Sequence, residues 1–195
     1  MLTNVVIKSF GRCGTQKIVY DLTQKGYTPF FMGNSFMSTG FSFMQSMKDL
    51  YMSRTPLVIH AHGPFVVDNP ENWVYIRVTR KNKLKQLISH TIERLTLEDH
   101  EYTNQKLPPL EINLRTIDTI NDWDRMLELE SELFDWGSRY HIEYEDYDPS
   151  QLDKIKTYDL DIDHMPPERS PYKAEDLEYK NTTYDKLNEE YCESL

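Results

Sequence analysis

Residues 5–22 read VVIKSFGRCGTQKIVYDL and combine three local patterns. The segment begins as a run of β-branched residues, turns at Gly11 and Gly14, and regains apolar residues at helical spacing from Ile18 onward. A strand, a tight loop and a helix N-terminus in this order aim backbone N–H groups and the positive end of a helix dipole at one place. Because proteins hold phosphate and sulfate groups in this way, the segment predicts an anion-binding site.

The composition predicts a globular chain with a basic segment in an acidic background. The chain has 195 residues, which suits one domain of ordinary size, with 38% hydrophobic residues and a formal net charge of -10. Such a chain lacks the basic surface of a general nucleic-acid binder. Residues 77–94 nevertheless carry six cations against Glu93, whereas residues 143–195 are strongly acidic. This distribution favours a small anionic ligand, and we expect no nucleic-acid partner.

Cysteine usage and hydropathy predict a cytoplasmic protein. Cys13 and Cys192 lie far apart in the sequence and form no disulfide framework, which favours a reducing compartment. The first residues lead into a strand without the pattern of a secretion signal. No apolar run approaches the roughly 20 residues that a membrane span requires, so we expect none. The oligomeric state stays open at this stage.

Predicted strands and helices alternate along the chain. After the first strand, further strands are predicted over 27–32, 56–64, 73–79 and 141–144. After the first helix, further helices are predicted over 41–52, 83–97, 118–134 and 149–158. This alternation predicts an α/β fold with a mostly parallel sheet covered on both faces, and ligands at the carboxyl ends of its strands. We expect the α/β domain to cover residues 1–158, and the acidic segment 159–195 to be extended and to pack on or extend the same domain.

Two familiar anion loops do not fit residues 11–16. A nucleotide P-loop requires G-x-x-x-x-G-K-[ST], whereas these glycines are three positions apart and no Gly-Lys-Ser/Thr occurs in the chain. A cysteine phosphatase would have an arginine six residues after Cys13, where Val19 stands. What remains is GRCGTQ, which offers backbone donors, the Arg12 guanidinium and the Thr15 hydroxyl. The alternative is a pair of glycines that only shapes a strand-to-helix turn.

Two histidines close a predicted strand. His60 and His62 belong to the segment HAHGP, and an imidazole at a strand end is a suitable general base near neutral pH. The same two side chains face one side of the strand and would suit zinc, although no third ligand is evident. A structural hydrogen bond is the other alternative.

With this loop, with HAHGP and with TRKNKLKQLIS over residues 79–89, the chain resembles sulfotransferases that use 3'-phosphoadenylyl sulfate (PAPS). The resemblance implies a P-loop-containing nucleotide hydrolase-like, three-layer architecture. It implies that Arg80 and Ser89 bind the 3'-phosphate, that His62 is the catalytic base and that Arg12 stabilises the leaving phosphate oxygen. The loop residues that would hold the 5'-phosphosulfate are Gly11, Arg12, Cys13, Gly14, Thr15 and Gln16.

The resemblance covers roughly residues 4–158 and includes Tyr144-Glu145-Asp146, in which Tyr144 would contact adenine. Four features depart from the family pattern, and the first is Cys13 in place of a serine. Lys17 stands where many members have an adenine-stacking tryptophan, His60 stands where lysine is usual, and the late Arg-Lys-Gly motif is missing. What contacts adenine in place of the tryptophan therefore stays open.

The implied reaction moves a sulfuryl group in line from PAPS to a hydroxyl of a small molecule or glycan. The product nucleotide is 3'-phosphoadenosine 5'-phosphate (PAP), and no metal is required. The acceptor itself is not encoded in a motif; residues 33–55, 99–117 and 159–180 are predicted pocket walls. Two alternatives remain: a nucleotide-binding or interaction module without catalysis, and a P-loop-like kinase that transfers phosphate.

Overall fold

A computed structural model describes residues 4–31, 56–62, 73–98, 106–133, 139–155 and 172–195. These residues form an α/β fold whose five-stranded, all-parallel sheet is flanked by helices, as the sequence predicts. The strands are β1 (Asn4–Ser9), β2 (Thr28–Phe31), β3 (Leu57–His62), β4 (Trp73–Thr79) and β5 (Arg139–Glu143). The α-helices are α1 (Thr15–Thr23), α2 (Lys83–Glu98), α3 (Thr116–Leu133) and α4 (Tyr184–Glu193). The predicted helix over 41–52 and the Gly63-Pro64 end of HAHGP lie outside the described residues.

β1 occupies the centre of the sheet, whose strand order is β2-β3-β1-β4-β5. It pairs in parallel with β3 on one side and with β4 on the other. In this register Ile7 lies beside His60, and Ser9 lies beside His62. The last residues of β1 and of the histidine-bearing strand therefore meet at the same edge of the sheet.

The two faces of β1 have different chemistry, because successive side chains of a strand point in opposite directions. Val5 and Ile7 are buried and pack with Ile18 and Leu22 of α1 in one apolar core. Lys8, which follows Ile7 and points to the opposite face, is 4% exposed and donates a 2.6 Å hydrogen bond to Glu130 of α3. One face thus forms a conventional apolar core, and the other contains a buried ion pair.

The described residues form two compact units, one within 1–79 and 126–167 and the other within 80–125 and 168–195. The second unit has its own apolar cluster, which includes Leu84 and Ile88 of α2 and Leu187 and Tyr191 of α4. The prediction of one α/β domain over 1–158 with an appended segment stays a prediction.

The carboxyl-terminal segment departs from the expected extended conformation. Residues 184–193 form α4, and the side chain of Thr183 accepts a hydrogen bond from the backbone N–H of Lys186 and so caps its first turn. Leu187 and Tyr191, four residues apart, lie on one face and are buried. An acidic composition concealed this short amphipathic pattern. The predicted extended stretch from 159 to 171 lies outside the described residues.

Two smaller observations complete the fold. The predicted helix over 149–158 is a short 3-10 helix at Pro149–Lys154, capped by the carboxylate of Asp148. In the part of the chain that the structure describes, no helix combines the length and the apolar character that crossing a membrane requires.

Candidate functional site

The loop between β1 and α1 has a left-handed backbone at three of its five residues. Gly11, Arg12 and Gly14 have φ angles of 122°, 55° and 70°. A positive φ is easy for glycine but costs a residue with a Cβ about 1–3 kcal/mol, so Arg12 is held in a strained conformation. Strain of this kind persists where the surroundings impose it, and turns of this kind present successive N–H groups to an anion.

The N-terminus of α1 lacks a side-chain cap. Gly14 is the N-cap residue and has no oxygen with which to accept a hydrogen bond from the first turn, and that turn contains no acidic residue. The positive end of the helix dipole is therefore compensated neither by a capping side chain nor by a carboxylate within the turn. An anion placed at this point would be stabilised by both the dipole and the first amides.

Tyr144 lies directly on the loop. A Cβ added to Gly14 would come 2.0 Å from Cε2 of the Tyr144 ring, a distance that no real contact reaches. Gly14 is thus required twice, once by its φ angle and once by this ring. The side chain of Tyr144 is 38% exposed, so one part of the ring covers the loop while another part faces solvent.

His62 presents one nitrogen to the protein at the carboxyl end of β3. Its Nδ1 lies 3.2 Å from the carbonyl oxygen of Ser9 and 3.3 Å from the Ser9 hydroxyl. A carbonyl only accepts hydrogen bonds, so a bond to this partner requires the tautomer with the proton on Nδ1 and the lone pair on Nε2. His62 is exposed, and Gly11 lies beside its ring, since a Cβ on Gly11 would be 3.7 Å from Cε1. The residue therefore combines an accessible basic nitrogen with proximity to the loop.

His60 has a different role from His62. It is 8% exposed, and its Nε2 lies 2.7 Å from Oγ1 of Thr15, the first residue of α1. Burial, reinforced by the neighbouring His62, lowers the pKa of His60 to about 3. The two rings meet edge to face with centroids 4.4 Å apart. The sequence placed both histidines on one side of the strand but gave no sign of the bond to Thr15.

The other side chains of the predicted anion site are those of Cys13, Gln16 and Arg12. Cys13 is fully buried, and its thiol donates a 3.4 Å hydrogen bond to the carbonyl oxygen of Gly11. The thiol therefore forms a buried hydrogen bond inside the loop. Gln16 is exposed on the first turn of α1, and the side chain of Arg12 is partly exposed.

Lys17 stands where many sulfotransferases have an adenine-stacking tryptophan, and its side chain points along α1. It forms an ion pair with Asp21, one turn further on. Asp21 also accepts a 2.8 Å hydrogen bond from the hydroxyl of Tyr147, whose pKa is raised mainly by burial. This position contributes a structural network beside the loop.

Arg80 and Ser89 belong to the second unit. Arg80 follows β4 directly in sequence, and Ser89 lies within α2; both are partly buried. Asn82 caps α2 by accepting a 2.8 Å hydrogen bond from the N–H of Lys85. The structure describes their local surroundings, and their assignment to a 3'-phosphate stays a prediction.

The basic segment 77–94 is less positive than its sequence indicates. Arg77 forms an ion pair with Glu128 in the first unit. In the second unit, Lys83 and Lys85 form ion pairs with Asp124 and Glu175. At least three of the six cations therefore have carboxylate partners, so the segment attracts anions less strongly than its composition implies.

Within the described ranges, no group of three or more histidine, cysteine, aspartate or glutamate side chains comes together as a metal site. Comparisons with protein-family models, with curated proteins and with solved structures find no match to this chain. Its chemistry is therefore argued from its own residues. The first unit brings together the loop, His60, His62 and Tyr144, and these residues form the candidate site.

Proposed function

We propose that this chain is a sulfotransferase that transfers a sulfuryl group from PAPS to an acceptor hydroxyl, on a P-loop-like, three-layer α/β architecture. One observation carries the proposal. The loop with a left-handed glycine and arginine, at a helix N-terminus without a side-chain cap, lies beside a histidine whose Nε2 bears the lone pair. An anion cradle next to a base is what transfer from an anionic donor to a hydroxyl requires.

The cradle would bind the 5'-phosphosulfate. The amides of the loop and of the first turn of α1 supply donors, and the Thr15 hydroxyl adds one more. Arg12 supplies a permanent positive charge that neutralises the phosphate oxygen released during transfer. Because these donors are fixed by the fold before the ligand arrives, little reorganisation opposes binding.

The transfer step would run through His62. Its Nε2 takes the proton of the acceptor hydroxyl while the acceptor oxygen attacks sulfur, so that the new O–S bond forms as the bond from sulfur to the phosphate oxygen breaks. The electron pair of the broken bond stays on PAP, where Arg12 compensates the charge. The Nδ1–H bond to the Ser9 carbonyl keeps the ring in the tautomer that a base needs.

The remainder of the nucleotide is assigned by the resemblance to sulfotransferases. Arg80 and Ser89 would bind the 3'-phosphate, and Tyr144 would contact adenine. The position of Tyr144 against Gly14 supports an adenine contact close to the loop. The acceptor is a small molecule or glycan with a hydroxyl group, and the reaction needs no metal.

The proposal is tested by mass spectrometry of products formed from PAPS and a panel of phenols, sugars and lipid alcohols, with and without a chelator. The expected result is an acceptor whose mass increases by one sulfuryl group, with equal rates in both conditions. His62→Ala should lower turnover by about 10²- to 10⁴-fold with PAP affinity retained. His90→Ala, which removes an exposed histidine of α2, is the matched control and should be unaffected.

Two outcomes would contradict parts of the proposal. PAP binding without turnover on any acceptor would favour a nucleotide-binding module, and phosphate transfer from a nucleoside triphosphate would favour a kinase.

Arg80→Ala should weaken PAP binding by about 1–3 kcal/mol, as expected for the loss of a charged hydrogen bond. Unchanged PAP affinity in this variant would remove the 3'-phosphate assignment while leaving the 5' site in place.

A further inference from the structure

The bond between His60 and Thr15 lies at the base of the anion loop and is shielded from solvent. Nε2 and Oγ1 are 2.7 Å apart, and the two residues are 8% and 3% exposed. The parallel register that pairs His60 with Ile7 sets the height of the ring in the sheet. Water therefore competes little for this bond.

Only two arrangements of protons satisfy this pair. His60 is a neutral imidazole at physiological pH, so it has one N–H donor and one acceptor nitrogen, and the Thr15 hydroxyl has a single proton. If Nε2 accepts, the Thr15 proton is directed into the protein. If Nε2 carries the hydrogen, it donates to Oγ1, and the Thr15 proton is available to a ligand.

We infer that His60 is a positioning residue, which donates from Nε2 to Thr15 and thereby directs the Thr15 hydroxyl proton at an anion held in the loop. The inference rests on the proposed function, because the oxygens of a phosphosulfate only accept hydrogen bonds. A hydroxyl whose oxygen already accepts a hydrogen bond is also a stronger donor. His60 acts through Thr15, whereas His62 acts on the acceptor.

The first experiment reads the tautomer directly. Two-bond ¹H–¹⁵N spectra of the chain labelled at histidine, recorded near neutral pH without ligand, distinguish a proton on Nε2 from one on Nδ1. The spectrum of His60→Gln assigns the signal. We expect the Nε2–H form for His60 and the Nδ1–H form for His62. An Nδ1–H signal for His60 overturns the inference, whether or not the chain binds a nucleotide.

The second experiment measures PAP affinity by calorimetry in Thr15→Val, His60→Leu and the double variant. Each single change should weaken binding about tenfold or more, the loss of one charge-assisted hydrogen bond. Because His60 acts through Thr15, the double variant should bind no more weakly than Thr15→Val. His60→Gln, whose amide keeps an N–H donor, should recover most of the loss. Losses that multiply in the double variant overturn the inference.

Thr79 provides a matched control. Its Oγ1 forms the same type of bond, 2.8 Å from Nε2 of His141, but this pair is exposed and lies outside the loop. Thr79→Val should therefore leave PAP affinity unchanged. If the wild-type chain does not bind PAP, the proposed function fails, and the tautomer of His60 still decides the inference.

Discussion

His60 should make the stability of the chain depend on pH in a specific window. Its folded-state pKa is about 3, against an ordinary value of 6.5, and the first cause is burial. The unfolded chain therefore binds a proton at this residue below pH 6.5, while the folded chain does not. Since the free energy of unfolding rises with pH wherever the unfolded state binds more protons, the stabilisation is complete above pH 6.5 and decreases as the pH falls toward 3.

The magnitude follows from this difference. Each pH unit below the ordinary pKa costs about 1.4 kcal/mol, so about 2.7 kcal/mol is lost two units below it. Other groups also titrate in this range. The variant His60→Gln, which keeps a polar side chain and never titrates, isolates the contribution of this one residue.

The assay is urea denaturation at a series of pH values, followed by circular dichroism and tryptophan fluorescence, whose transitions should coincide. Relative to His60→Gln, the wild type should lose about 1.4 kcal/mol of unfolding free energy for each pH unit below the ordinary pKa of histidine. His90→Gln, at an exposed histidine, should run parallel to the wild type. Parallel curves for the wild type and His60→Gln would refute the buried neutral imidazole.

Three other substitutions test contacts inside each of the two units. Gly14→Ala should destabilise the chain by about 2–4 kcal/mol in urea denaturation, because it adds a strained φ and a clash with the Tyr144 ring. Adding Tyr144→Ala should relieve the clash. Strictly additive losses of unfolding free energy in the double variant would contradict the contact. Lys8→Met should lower the unfolding free energy by about 2–4 kcal/mol in urea denaturation, because it leaves Glu130 without its buried partner. Adding Glu130→Gln should restore most of that free energy. If the double variant is no more stable than Lys8→Met, the ion pair is contradicted. Leu187→Ala should lower the unfolding free energy by about 2–4 kcal/mol, measured by thermal melting, and a silent change would contradict the burial of α4.

The sequence predicts the sheet well because each strand has a local signal. A β-branched or aromatic run bounded by glycine or proline marks β1, β2 and β3, and the alternation of strands with helices implies parallel pairing. α4 is the exception. Only Leu187 and Tyr191 carry its apolar face among many acids, so its stability comes from packing in the second unit rather than from its local sequence.

The candidate site is predicted in its parts and not in its connections. The loop and the histidines follow from residue types, but the bond from Thr15 to His60 joins residues 45 positions apart and depends on the register of β1 and β3. The contact of the Tyr144 ring, which follows β5, with Gly14 at the N-terminus of α1 joins distant parts of the sequence in the same way. Contacts of this kind are decided by tertiary packing, which a local pattern does not contain.

The left-handed backbone at Arg12 sets the proposed activity against conformational strain. Glycine relieves a positive φ and alanine does not, so Arg12→Gly should melt at a higher temperature than Arg12→Ala, since both variants lose the same side-chain contacts. Both would remove the charge that the proposed transfer assigns to the leaving oxygen. A library selected for the proposed sulfuryl transfer should therefore keep this arginine despite the conformational cost of its backbone.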